Sequence, residues 1–186
     1  MASVLVPLAQ SCEELEAVTI IDLLRRANID VTTAGLDEQP VRASRGVVLI
    51  PDTTLDEALK KQYDMVVLPG GLPGADYLNE DERIQTLLKE MNRKGKPIAA
   101  ICAAPKVLAN TGLLDGKTAT AYPGTLEKLN ISNNSNTTIS ADVVIQDGNI
   151  ITSRGPGTAM DFALHLIEQL AGKEKRNEVE KGLVRP

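Results

Sequence analysis

Short, wholly apolar runs alternate along this chain with stretches of helical periodicity, and that alternation fixes the class of fold. The runs Val4-Leu5-Val6-Pro7-Leu8-Ala9, Met65-Val66-Val67-Leu68 and Pro97-Ile98-Ala99-Ala100-Ile101 are too short for core helices and have no polar face. Strands of this kind are buried on both sides, as in a parallel sheet covered by helices. The pattern predicts an α/β protein with a mostly parallel central sheet.

The intervening segments supply the helices. Ser11-Cys12-Glu13-Glu14 has the S-x-x-E form of a capping box and predicts a helix start. Behind it Ala17, Ile20, Ile21 and Leu24 share one face, and the helix ends near Asn28. Further strands are expected over 30–35, 47–50, 117–122, 143–146 and 149–153, and further helices over 54–61 and 81–94. Asp147-Gly148 reads as a hairpin turn, and the segment around 47–50 can add a second antiparallel hairpin. Thr158 is expected to cap a long last helix, interrupted at Gly172 and followed by a charged coda over 173–181.

Composition limits what such a fold can do. The 186 residues fit one domain, 1–186, with no repeat and no linker. Phe162, Tyr63, Tyr77 and Tyr122 are the only aromatic residues, so the core must be aliphatic. A net charge of −5 argues against a surface built for a nucleic-acid backbone. No apolar run is long enough to span a membrane, and no basic, apolar leader opens the chain. Two cysteines make no disulfide framework. A cytoplasmic, reducing location is expected, which makes the sequons at Asn130, Asn133 and Asn136 chance products of a polar loop.

Ligands of parallel α/β sheets bind beyond the carboxyl ends of the strands. Cys102 falls there, directly after the run ending at Ile101 and before a helix-like segment. That is the strand-to-helix turn on which α/β hydrolases expose a nucleophile. The free N–H groups of a new helix favour thiolate, so a lowered thiol pKa is expected; the competing reading is a small core cysteine. Gly71 and Ala103 offer backbone N–H groups for a developing oxyanion. The only histidine, His165, lies about 100° off the apolar stripe of its helix and reads as solvated, which disfavours a Cys-His-Asp triad.

A carboxylate remains. Glu13 and Glu14 suit macrodipole compensation at a helix start, whereas Glu16 lies on the side of Ala17 and Ile20. Half-buried there, it would have a raised pKa and could share a proton with the thiol. The loops Gly70-Gly71-Leu72-Pro73-Gly74 and Arg154-Gly155-Pro156-Gly157-Thr158 lack Walker A and dinucleotide fingerprints. Cys12 reads as a tolerated small residue or an oxidisable second thiol.

Four segments together resemble the ThiJ/PfpI superfamily, in its DJ-one-like branch of the parkinsonism-associated deglycase. They are Glu13-Glu14-Leu15-Glu16, Val67-Leu68-Pro69-Gly70-Gly71, Ala99-Ala100-Ile101-Cys102-Ala103-Ala104-Pro105 and Thr152-Ser153-Arg154-Gly155-Pro156-Gly157-Thr158. The resemblance covers essentially the whole chain. It implies a flavodoxin-like three-layer sandwich and a homodimer packed partly through the first helix. It also implies a reactive cysteine at Cys102, a protonated glutamate at Glu16, and oxyanion donors at Gly71 and Ala103. Gly70, Tyr122, Arg154 and Pro156 are the substrate-pocket candidates. Where many members carry a histidine before a proline, this chain has Tyr122-Pro123, and a phenol is no base near neutral pH.

The implied function is detoxification of reactive dicarbonyls without glutathione, cofactor or metal, as a glyoxalase or protein deglycase. Its partners would be small dicarbonyls or glycated protein groups. The alternative is a redox sensor or chaperone acting through Cys102 oxidation. A cysteine peptidase or amidase is a third reading, weakened by the want of a histidine to protonate a leaving amine.

Overall fold

The computed structural model describes residues 1–129 and 135–185; the sequons at Asn130 and Asn133 lie outside them. Its first half runs β1 (Ser3–Leu8), α1 (Glu14–Arg26), β2 (Asp30–Gly35), β3 (Val41–Arg42), β4 (Val48–Leu49), β5 (Thr53–Thr54), α2 (Leu55–Ala58), β6 (Met65–Leu68), α3 (Gly74–Glu80) and α4 (Glu82–Arg93). The second half runs β7 (Ile98–Ile101), α5 (Pro105–Asn110), β8 (Thr118–Ala119), β9 (Thr138–Ile139), β10 (Val144–Asp147), β11 (Ile150–Ser153) and α6 (Ala159–Gly182).

A seven-stranded sheet has the order β10-β11-β7-β6-β1-β2-β5. All its pairings are parallel except β10–β11. Period-two alternation sends Val4, Val6 and Leu8 of β1 to one face and Leu5 to the other. The first face packs on α1 and α6 through Ala17, Ile20, Leu24, Phe162 and Ile167. The second packs on α2, α4 and α5 through Leu55, Leu88, Val107 and Leu108. These are the three layers of the flavodoxin-like architecture. Burying each of these large aliphatic side chains contributes about 1.5–3 kcal/mol, which holds the strand ends, and the site on them, in place.

Local differences from the sequence pattern have physical causes. The capping box does not form: Ser11 is in the left-handed region (φ 62) with its N–H on Arg42 O, and Glu13 caps α1 by accepting from Leu15 N. Leu23 takes the core position expected for Ile21, which is half-buried at the edge of the stripe. α3 was not signalled, because Leu72-Pro73-Gly74 reads as a turn. The strand expected over 117–122 narrows to β8, which pairs with β9 outside the main sheet. The β10–β11 turn falls on Gly148-Asn149, since Asp147 still pairs with Ile150. Thr158 stands at the start of α6, but its hydroxyl serves Gly155 and Ser153 rather than the helix. The kink at Gly172 (φ 85) is where the sequence placed it.

Candidate active site

Four parallel strands, β1, β6, β7 and β11, deliver their carboxyl ends to one edge of the sheet. Cys102 follows β7 there with φ 64, a left-handed conformation that costs a non-glycine residue about 1–3 kcal/mol. The chain holds it on both sides. Cys102 N donates to Ser153 O of β11 at 3.0 Å, and Tyr122 N donates to Cys102 O at 2.8 Å. The elbow lifts the sulfur off the sheet, yet Cys102 remains only 8 % exposed.

Glu16 enters from the first turns of α1 and is fully buried at 0 % exposure. Its Oε2 accepts from Gly70 N at 2.8 Å, and its carboxyl sits beside Cys102 across Gly70, where a hydrogen bond from the thiol would favour the carboxylate. Its Oε1 is buried with no hydrogen-bond partner among the described residues. Gly70 is the contact between the two groups. A Cβ there would lie 2.6 Å from Cys102 Cβ and 2.8 Å from Glu16 Oε2, so any side chain would force the pair apart.

The N–H groups of Gly71 and Ala103 lie close enough to the Cys102 sulfur to favour its charged form. Gly71 adopts φ 93, and a Cβ on it would meet Glu13 N at 2.4 Å. Glu13 N in turn donates to Gly70 O at 2.9 Å. In a trans peptide the C=O and N–H point in opposite directions. Glu13 therefore orients the Gly70–Gly71 peptide so that its N–H faces the sulfur. This backbone contact carries no signal in the sequence.

Burial dominates the electrostatics. It pushes Glu16 up from the ordinary 4.5 to about 7, against the lowering effect of the Cys102 and Gly70 hydrogen bonds. Burial, then the Glu16 charge, pushes Cys102 up from 9.0 to about 12, while the Gly71 and Ala103 N–H groups pull it down. The lowered thiol pKa expected from a helix terminus is thus corrected. α5 begins only at Pro105, and desolvation outweighs the two donors. The dyad gives up one proton near neutral pH and resists giving up a second.

The other candidates are spread around this pair. Tyr122 is 53 % exposed, and its ring lies where a Cβ on Gly155 would touch it at 3.2 Å and the sulfur at 4.0 Å. Tyr122 and Gly155 thus form a wall beside Cys102. Pro156 begins the short 3-10 turn leading to α6 and is half-buried. Arg154 is turned aside: its guanidinium donates to Ala141 O at 2.9 Å and lines a cavity of about 230 Å³ with Pro123. His165 is half-buried rather than solvated, its Nε2 2.7 Å from Gln146 Oε1, and burial lowers its pKa. Cys12 is 1 % exposed, and burial, followed by the Glu14 charge, raises its pKa to about 12. Glu14 spends its carboxylate on Ser44 Oγ and on the N–H groups of Arg45 and Val47. Among the described residues no cluster of His, Cys, Asp and Glu could hold a metal ion.

Fold and site together define a three-layer α/β protein with a buried thiol on its strand-to-helix elbow. The chain belongs to the DJ-1/PfpI family, whose model matches residues 2–169. It is 48 % identical over 183 residues to the protein dj-1beta of Drosophila melanogaster, covering 98 % of this chain and 96 % of that one. The crystal structure of Drosophila melanogaster DJ-1beta superposes with a TM-score of 0.93 at 47 % identity, covering 100 % of this chain and 98 % of that one. A glutathione-independent glyoxalase of Caenorhabditis elegans, DJR-1.2, is 36 % identical over 182 residues, covering 98 % of this chain and 95 % of that one.

Proposed function

We propose that this protein is a cysteine-dependent enzyme that converts small reactive dicarbonyls to hydroxy acids without glutathione. The observation that carries the reading is the pairing of a thiol with a fully buried carboxyl and two backbone N–H groups. The 36 % identical relative named as a glutathione-independent glyoxalase supports the substrate class.

With the dyad singly deprotonated, the reacting form has the proton on Glu16 and the charge on sulfur. Sulfur then has two N–H donors and no repulsion from Glu16, which leaves burial as the remaining cost of its charge. The thiolate adds to the aldehyde carbon of methylglyoxal, and Glu16 protonates the new oxyanion, which Gly71 and Ala103 hold as it forms. The resulting hemithioacetal loses its C1 proton to the Glu16 carboxylate, giving an enediol. Reprotonation at C2 leaves the thioester of lactate. Water hydrolyses it to lactate and free Cys102, so methylglyoxal and one water account for every atom. A nucleophilic residue only 8 % exposed favours two- and three-carbon substrates over adducts on protein amines. Tyr122, whose ring lies beside Gly155 near the sulfur, is the side chain we assign as hydrogen-bond donor to a substrate oxygen.

We also propose a homodimer through α1. Leu15 and Val18 are 51 % and 46 % exposed on that helix, and Val47, Val48 and Ile50 are exposed on and beside β4. An apolar face of this kind, shared by the helix that carries Glu16, suits a two-fold interface. Among the described residues no helix is long and apolar enough to cross a membrane.

Lactate formed from methylglyoxal in glutathione-free buffer is the test. We expect turnover by the native chain and none by Cys102→Ser. Equal rates would end the enzyme reading and leave peroxide oxidation of Cys102 as the chemistry of the same site.

A further inference from the structure

Each donor that faces the Cys102 sulfur hangs from the first turn of a short helix. Gly71 O accepts from Ala75 N of α3 at 2.8 Å, and Ala103 O accepts from Lys106 N of α5 at 3.4 Å. The two helices lie side by side and are joined by two side-chain pairs. Asp76 in the first turn of α3 is ion-paired with Lys106 in the first turn of α5. One turn further along the seam, Asn110 Nδ2 donates to Asn79 Oδ1 at 2.9 Å. Lys106 is largely buried, its side chain 17 % exposed, while Asp76 is 42 % exposed. No catalytic role explains a lysine in that place. Its ammonium is committed to Asp76 rather than to Cys102 or Glu16.

We propose that the Asp76–Lys106 pair is a positioning clamp that sets the separation of the Gly71 and Ala103 N–H groups, and with it the stabilisation of negative charge on Cys102. The inference rests on the reading of those two groups as the donors of the reacting centre. Gly70 and Gly71 give the α3 loop little stiffness of its own, because neither has a side chain to restrict it. Without the clamp α3 can drift from α5, and a hydrogen bond to sulfur weakens with small changes of distance and angle. Asn79–Asn110 is a neutral bond farther from the donors, and it keeps the helices in contact when the ion pair is removed.

The alternative role of Lys106 is direct: its charge alone would favour thiolate. The two roles predict opposite outcomes for one substitution. Asp76→Asn leaves the Lys106 charge uncompensated. A direct field would then increase thiolate and speed alkylation, whereas loss of the clamp would slow it.

The experiment measures the pH dependence of Cys102 alkylation by iodoacetamide, with Cys12→Ser as background in every variant. It needs no assumption about substrate, so a failed dicarbonyl assay and a failed clamp are separable. We expect Asp76→Asn and Lys106→Met each to slow alkylation at neutral pH by about threefold, as for the loss of a partly exposed ion pair. The double variant should be no slower than either single one. The reversed pair, Asp76→Lys with Lys106→Asp, should recover most of the native rate. Unchanged or faster alkylation in Asp76→Asn would overturn the proposal, as would additive losses in the double variant.

Discussion

Replacing Glu16 by glutamine should stabilise the protein while impairing its site. Glu16 is fully buried and its pKa is raised from 4.5 to about 7. A carboxyl whose folded pKa exceeds its unfolded value contributes most to stability below pH 4.5, and that contribution is lost as pH rises to about 7. Above that, the native protein bears the cost of one buried negative charge on the Cys102–Glu16 pair, about 3 kcal/mol from a shift of this size. Glutamine keeps the shape and an oxygen for Gly70 N–H but takes no charge. At pH 8 Glu16→Gln should therefore melt higher than the native chain, by up to about 6–12 °C for a protein of this size. At pH 4.5 the two should melt together. His165, whose lowered pKa works in the opposite direction, is present in both proteins and cancels in the difference. Calorimetry at half-unit steps from pH 4.5 to 8.5 measures the gap. A difference in Tm that stays flat across that range would refute the buried, proton-holding carboxyl. Activity should fall in the same variant, because glutamine cannot shuttle a proton.

Gly70→Ala should cost about 1–3 kcal/mol and most of the activity, since the new Cβ would lie under 3 Å from Cys102 Cβ, Glu16 Oε2 and Ile101 O; urea denaturation and lactate assays would show both losses. Val18→Asp, on the exposed face of α1, should shift sedimentation at micromolar concentration from dimer to monomer and lower activity, because α1 also carries Glu16; a fully active monomer would remove the dimer from the mechanism. Mild peroxide should oxidise Cys102 well before Cys12, which is 1 % exposed and has no backbone donors aimed at it beyond its own N–H; mass spectrometry showing equal oxidation of both would argue against a tuned site.

The elbow at Cys102 was legible because an apolar run stops there abruptly, and Glu16 because helical periodicity turns it toward Ala17 and Ile20. The layers followed from the same two periods. What sequence did not reveal depends on distant partners. Glu14 suited a capping box until Arg45 N and Val47 N claimed its carboxylate, and Glu13 took the cap instead. α3 is seven residues long and begins in a Pro-Gly turn, too short to show a period. β8 needed β9, twenty positions on, to become a strand at all. The direction of the Cys102 shift was misjudged because local sequence reports the donors of a helix start, whereas burial by β11, the Tyr122 segment and α1 is a property of the assembled fold.

The central claim is that Cys102 and Glu16 share one proton at neutral pH, and that the reacting form is the one with the proton on Glu16 and the charge on sulfur. Comparing the alkylation rate of Cys102 in the native chain and in Glu16→Leu at pH 7.5 tests it directly. A shared proton predicts slower alkylation in Glu16→Leu, since the buried sulfur loses the acid that hydrogen-bonds its thiolate. If instead the carboxylate stays ionised beside a neutral thiol, leucine removes a repelling charge and the rate rises. An equal or faster rate in Glu16→Leu would contradict the account.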